Sequence, residues 1–380
     1  MEIGNNWRGW SVEALIGAGI YSKVYKVKCK NWGVSYESAL KVIQLPGYDE
    51  MGSAKRNDFS FSDDEIECYY QEKLNHYIEI MRLSDEIKGN PNVLSYDEYD
   101  VIDNGTGYEV CLRMELLTSL PDYLMNHSLT EEDILQLGID VCKALETCHY
   151  HGYVHRGVKP HNIFISNQCG YKLGDLDGAI KTNSKDTSEE YKYASFFMPP
   201  EWHSSDRYNE NLDIYSLGMI LYTLLNNNRM PFMPSYPERV SNSDKQKANE
   251  RRFKGDIVPP PCNANEALGN IVIKALAFRP EDRYQNSESM RIELETVLGK
   301  AKRTTDDSVC DKDYEAEMLF CPYCRTENPA TNTFCRGCGC RFQEIFIDPE
   351  DTVTICPNCE EVNLAEYRYC MKCGADLRIN

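Results

Sequence analysis

The chain contains no apolar run approaching the roughly 18 residues needed to cross a bilayer, so no membrane insertion is expected. It is also short of basic charge: 41 lysines and arginines face 60 aspartates and glutamates, for a formal charge of −19. Phosphates are repelled over most of such a surface, which excludes general nucleic-acid or membrane-surface binding. The opening residues, Met-Glu-Ile-Gly-Asn-Asn-Trp-Arg, lack a basic stretch followed by an apolar one, so no secretory signal is expected and the localisation reads as cytoplasmic. What remains is 380 residues of ordinary globular composition, 42% hydrophobic and 27% charged, enough for two or three domains and one large core.

Cysteine is plentiful and unevenly spread. Seven of the 17 are scattered singly between Cys29 and Cys262, as small buried apolar residues are in a reducing compartment. The other ten fall between Cys310 and Cys373, and eight of them form tight pairs: Cys321 and Cys324, Cys335 and Cys338, Cys356 and Cys359, Cys370 and Cys373. Ten residues separate the pairs within each half, and the second half repeats the first 35 residues on. A C-x-x-C turn puts two sulfurs on one side of a knuckle, and two knuckles complete a tetrahedral S₄ site for Zn²⁺. Two Zn²⁺ ions are therefore expected, in segments 319–344 and 354–378, each too short to fold without its metal. Such sites are closed, so the zinc is structural. The pattern resembles tandem zinc ribbons. Residues 301–380 carry nine basic and fifteen acidic side chains, which favours a protein partner over a nucleic acid.

The first 300 residues carry a longer series of signals. Residues 10–30 alternate as two strands around Gly17 and Gly19, a G-x-G that alone marks only a hairpin. Ser-Ala-Leu-Lys-Val-Ile (38–43) is a strand that carries Ala39 and Lys41. Residues 63–87 repeat apolar side chains at helical steps, and 94–117 alternate as strands that end in Met114, Glu115 and Leu117. A buried helix over 130–149, opened by a capping box from Ser128 to Glu131, leads into His155-Arg156-Gly157-Val158-Lys159-Pro160-His161-Asn162. Asp175 stands 18 residues beyond Gly157, within Gly-Asp-Leu-Asp-Gly. Phe-Met-Pro-Pro-Glu (197–201), Asp213 and Arg283 follow.

In this order the motifs, from about Trp7 to Leu298, resemble those of the protein kinases, in the serine/threonine form found in bacteria. The resemblance implies an α+β, bilobal fold over 7–299. The strand-rich lobe would be 7–117 and the helical lobe 118–299, with a linker at 300–318 before the ribbons. It implies ATP and Mg²⁺ as cofactors. Gly17, Gly19, Val24, Ala39, Lys41, Met114, Glu115 and Leu117 would hold the nucleotide, with Glu79, or alternatively Glu72, gripping Lys41. Asn162 and Asp175 would hold magnesium, and Lys159 would contact the γ-phosphate. Glu201 and Arg283 would form a buried pair.

Two positions depart from the family. Where an aspartate orients the substrate hydroxyl and accepts its proton, this chain has Gly157. Where the D-F-G element ends in glycine, it has Asp177, whose backbone would have to take a conformation that most residues resist. These departures favour a pseudokinase, or a strongly impaired kinase, with a protein-binding tail. The alternatives are an active serine/threonine kinase and a zinc-ribbon adaptor that uses the kinase fold as a scaffold.

Overall fold

The structure is a computed structural model that describes residues 6–19, 22–45, 63–105, 107–166, 170–182, 196–203, 209–306, 318–320, 327–329, 353–359, 362–364, 368, 370 and 375–377. The chain divides into two compact units, Met1–Ile165 with Tyr171–Gly299, and Ser166–Gly170 with Lys300–Asn380.

The first unit opens with β1 (Asn6–Trp7), β2 (Trp10–Ala18), β3 (Ser22–Asn31) and β4 (Val34–Leu45), continues through helix α1 (Asp63–Glu86), and returns as β5 (Tyr96–Asp103) and β6 (Tyr108–Met114). These six strands form one sheet in the order β1-β2-β3-β4-β6-β5, with every pairing antiparallel. Strand β4 shows why the sheet holds. Its second half is an almost continuous buried run, because both faces are covered. Ala39, Ile43 and Leu45 join the main core beneath α1, while Leu40 and Val42 pack on the other face with Trp7, Val27 and Cys111.

The chain then turns helical, through β7 (Thr118–Ser119), α2 (Leu120–Leu124), α3 (Glu131–Tyr150), β8 (Tyr153–Val154), β9 (Ile163–Ser166), β10 (Gly170–Leu173), β11 (Ile180–Lys181), α4 (Asn211–Leu225), α5 (Asn242–Lys254), α6 (Glu266–Ala275) and α7 (Ser287–Asp306). Strands β10, β9 and β7 form a small sheet in that order, and β11 pairs antiparallel with β8. Helix α4 is apolar nearly all round, as a helix at the centre of a lobe must be, and is buried from Asn211 to Tyr222. Among the described residues, no helix is long and apolar enough to cross a membrane.

Two sequence expectations need correction. The capping box of α3 is made by Thr130 and Asp133, not by Ser128 and Glu131. The Asp133 N–H donates to Thr130 Oγ1 at 3.2 Å, and the Thr130 N–H returns to Asp133 Oδ2 at 2.9 Å. Two Ser/Thr-x-x-acid frames overlap there, and the one immediately before the helix prevails. The linker expected at 300–318 begins as helix instead, since α7 continues to Asp306. Between Asp175 and Glu201, residues 183–195 lie outside the described residues.

In the second unit, β12 (Met318–Phe320) pairs with β13 (Glu327–Pro329), and β14 (Val353–Ile355) with β15 (Val362–Leu364), both antiparallel. The second hairpin repeats the first at the 35-residue offset seen in the cysteines.

Candidate functional site

A cleft of about 540 Å³ in the first unit gathers most of the residues singled out above. Gly17, Gly19 and Val24 come from the β2–β3 turn, Ala39 and Lys41 from β4, and Met114, Glu115 and Leu117 from the end of β6; Asn162 and Asp175 complete the lining. Register explains the convergence. Lys41 pairs across the sheet with Val24 on one side and Leu112 on the other, so valine and lysine stand side by side under the glycine turn. That turn is closed by the Gly19 N–H donating to the Ser22 carbonyl at 2.7 Å. Glu115 directs its carboxylate away, to Lys172 at 2.6 Å.

The loop below is fixed by one buried carboxylate. Asp213, projecting from α4, accepts the backbone N–H groups of His155 and Arg156, each at 2.8 Å, and lies 2.9 Å from His149 Nε2. Arg156 takes a left-handed φ of 57° and donates from Nε to the Gly178 carbonyl at 2.6 Å, which ties the loop to the segment after Asp175. Asn162 Nδ2 donates to the Gly157 carbonyl at 2.9 Å. Nothing in the backbone demands glycine at 157. Its φ lies outside the left-handed region, and a Cβ there would meet His155 ring atoms at 3.1 Å and the Asp175 carbonyl at 3.2 Å. A side chain fits once its neighbours yield by a few tenths of an ångström.

The contacts of Lys41 differ from those the resemblance implies. Its ammonium lies 2.5 Å from Asp175 Oδ1 and 2.6 Å from Asp177 Oδ2. Among the described residues it meets no glutamate. Glu79 pairs instead with Lys181 at 2.9 Å, and Glu72 is exposed. The inward face of α1 presents His76, whose Nε2 donates to the Asp177 carbonyl at 2.8 Å. Tyr96 Oη stands 3.5 Å from Asp177 Oδ1. The backbone strain expected at Asp177 is absent: its φ is ordinary, and the left-handed residue is Asp175, with φ 64°.

Burial works against every charge here. It raises both carboxyls, but the adjacent ammonium overcomes it at Asp175, holding that group down at about 2. At Asp177 burial prevails, and the carboxyl stays above its ordinary value. Lys41 is raised well above its own ordinary value, because the two carboxylates outweigh the cost of burying the ammonium. Lys159 stands outside the cleft lining, but its charge also favours ionised Asp175.

Sequence reasoning missed His76, Tyr96 and His161, of which Tyr96 and His161 line the cleft. The signal for His76 was a polar residue one helical turn before the buried Ile80 on the inward stripe of α1.

In the second unit, the sulfurs of Cys356, Cys359 and Cys370 lie within 4.8 Å of one another. Cys356 and Cys370 are fully buried, and the Asn358 N–H points at Cys356 Sγ from 3.4 Å. Three converging sulfurs with an N–H···S contact are the donor set of a Zn²⁺ knuckle and fit that ion. Cys321, Cys324, Cys335, Cys338 and Cys373 lie outside the described residues.

Comparison with known proteins agrees with this geometry. Residues 10–293 match the protein kinase domain family, and residues 321–374 match the double zinc ribbon. The chain belongs to the protein kinase family. A probable serine/threonine-protein kinase of Clostridium perfringens, CPE1738, is 27% identical over 273 residues, covering 65% of this chain and 38% of that protein. Serine/threonine-protein kinase PknB of Mycolicibacterium smegmatis is 31% identical over 169 residues, 42% of this chain and 25% of its own length. PknB of Mycobacterium tuberculosis is 31% identical over 176 residues, 44% of this chain and 27% of its own. The chain thus spans well under half the length of these relatives. The kinase domain implies ATP and Mg²⁺, and the ribbon implies zinc.

Proposed function

We infer that the protein is an ATP-binding signalling protein of serine/threonine-kinase type whose phosphotransfer is strongly impaired, with a zinc-ribbon tail that engages a protein partner. It acts in the cytoplasm. The observation that carries the reading is Gly157, which leaves the catalytic loop without a carboxylate although its φ does not require glycine. Phosphoryl transfer depends chiefly on positioning and electrostatics, so ATP and Mg²⁺ still find partners in Lys41, Asn162 and Asp175. What the chain lacks is the group that orients and deprotonates the acceptor hydroxyl, typically worth about 10²–10⁴ in rate. The test is radiolabelled ATP transfer by the wild-type chain beside Gly157→Asp. Slow wild-type transfer and a gain of about 10²-fold or more in the variant support the reading. A wild-type rate within the ordinary kinase range of about 1–100 s⁻¹ overturns it. That rate would favour the second reading, an active serine/threonine kinase, which the convergence of Lys41, Asn162 and Asp175 on one cleft supports.

The tail carries two Zn²⁺ ions on this reading, one per repeat, since the 35-residue offset recurs in both cysteines and hairpins. Elemental analysis of protein purified without chelator is expected to return two zincs per chain. Chelation is expected to unfold the tail and leave the melting transition of the kinase domain in place, because structural zinc sites supply the folding energy of such small modules. One zinc or none would refute the count.

A further inference from the structure

The geometry points to Asp177 as the residue that positions Lys41, anchoring the phosphate lysine in place of a glutamate on α1. The proposal rests on the nucleotide-site reading above and deepens it. An ammonium on a four-carbon stem has many rotamers, and a buried counter-charge is needed to hold it at one point of a cleft. Here that counter-charge comes from Asp175, at 2.5 Å, and from the loop that follows it. Asp177 Oδ2 lies 2.6 Å from Nζ, with the lysine side chain 10% exposed and the aspartate 17%. Asp177 is itself held by two other elements, through His76 on α1 at its carbonyl and Tyr96 on β5 near its second carboxylate oxygen. The α1 glutamates that the motif suggests are elsewhere, Glu79 on Lys181 and Glu72 in solvent.

Among the described residues, the missing helix glutamate at Lys41 and the extra aspartate are therefore one feature, with the anchoring charge on the loop instead of the helix. Helix α1 still reaches Lys41, but through the His76 side chain and the Asp177 backbone. It follows that Asp177→Gly, which nominally restores the family motif, loosens Lys41 instead of repairing the site.

Two measurements on the full chain test this. The first is a melting-temperature cycle without nucleotide, over wild type, Lys41→Met, Asp177→Asn and the double variant. Coupling is expected: in Lys41→Met, where the Asp177 carboxylate has already lost its cation, the further change Asp177→Asn causes little or no further loss, while Asp177→Glu keeps most of the wild-type value. Additive losses, or Asp177→Glu behaving like Asp177→Asn, overturn the proposal. The second is ADP affinity by calorimetry, with Mg²⁺ and with EDTA. Asp177→Asn is expected to weaken ADP about tenfold in both conditions when Lys41 is present, within the range for coupled neighbours, and to have no effect in Lys41→Met. An effect confined to Mg²⁺, or one that persists in Lys41→Met, identifies Asp177 as a metal ligand and overturns the positioning role. If the wild-type chain binds no ADP, the nucleotide-site reading falls, and the melting cycle alone decides: coupling supports the anchor and additivity overturns it.

Discussion

The buried ionic clusters of the kinase domain are built on two opposite plans. In the helical lobe, the side chain of Arg283 is wholly inaccessible and grips Glu201 with two parallel bonds of 2.6 and 2.8 Å, while also donating to the carbonyls of Ala277 and Phe278. Nearby, Asp213 is saturated by two backbone N–H groups and His149. These clusters are closed, because each carboxylate meets its donors and the remaining donors of Arg283 are spent on backbone carbonyls. In the cleft, one ammonium faces two carboxylates, which leaves a net negative charge beside open volume. That cluster is open, with two carboxylates sharing one ammonium. The two departures from the family motif, Gly157 and Asp177, both fall at the open cluster. The closed ones are intact, so the departures spare the pairs that hold the fold and fall at the cleft.

The largest expected effect comes from breaking the closed cluster. Arg283→Ala strands Glu201 and several carbonyls, and is expected to lower the unfolding free energy of the domain by about 3–5 kcal/mol in urea denaturation. A loss below about 1 kcal/mol would show that water satisfies those groups and that the cluster is not closed in the sense argued.

A smaller effect is expected in the cleft. Lys41→Met leaves two buried carboxylates without their cation, at a cost of about 1–3 kcal/mol near neutral pH. The pH dependence separates this from a packing defect. With the lysine present, Asp175 is held down at about 2, below its ordinary 3.8. The stability that the pair supplies is therefore complete above the unfolded value and disappears as pH falls towards the folded one. The gap between wild type and Lys41→Met is expected to close as pH is lowered through that window, and also on adding Mg²⁺ at neutral pH. A gap independent of both would mean that the loss is steric.

Much of this was legible in the sequence, and what was not has definite causes. Gly17, Lys41, Asn162 and Asp175 lie on or beside regular strands and one short loop, where register carries position reliably from sequence to space. The partner of Lys41 was misread because a 24-residue helix turns about 100° per residue, so a shift of one or two positions moves a glutamate off the inward face. Glu79 accordingly reached Lys181 instead. Asp177 was recognised as a departure, but its effect could not be read from sequence. Whether a carboxylate repels phosphate, binds metal or holds a lysine depends on distances of 2–3 Å that only the fold supplies. The Ser128 cap and the start of the 300–318 linker were misplaced for a simpler reason: helix ends are chosen among overlapping signals by local geometry.

The smallest expected effect concerns His155, which stands between the two plans: its N–H is bound by the closed cluster at Asp213, and its ring faces the empty position at Gly157. The ring is buried, with Nδ1 accepting the Gly157 N–H at 3.1 Å and Nε2 unpartnered among the described residues. Burial lowers its pKa, outweighing the pull of the Asp213 and Asp175 carboxylates. In the unfolded chain this histidine takes a proton below about pH 6.5, whereas in the folded chain it resists until a lower pH. The stability present at neutral pH is therefore lost as pH falls from the unfolded value towards the folded one, by at most about 1.4 kcal/mol per unit between them. Urea denaturation at a series of pH values from neutral to mildly acidic should show a shallower decline in His155→Gln than in wild type. Parallel curves would mean that the imidazole charges freely in the folded chain. In that case the ring next to Gly157 is reached by solvent, and it becomes the first candidate for the proton acceptor that the catalytic loop otherwise lacks.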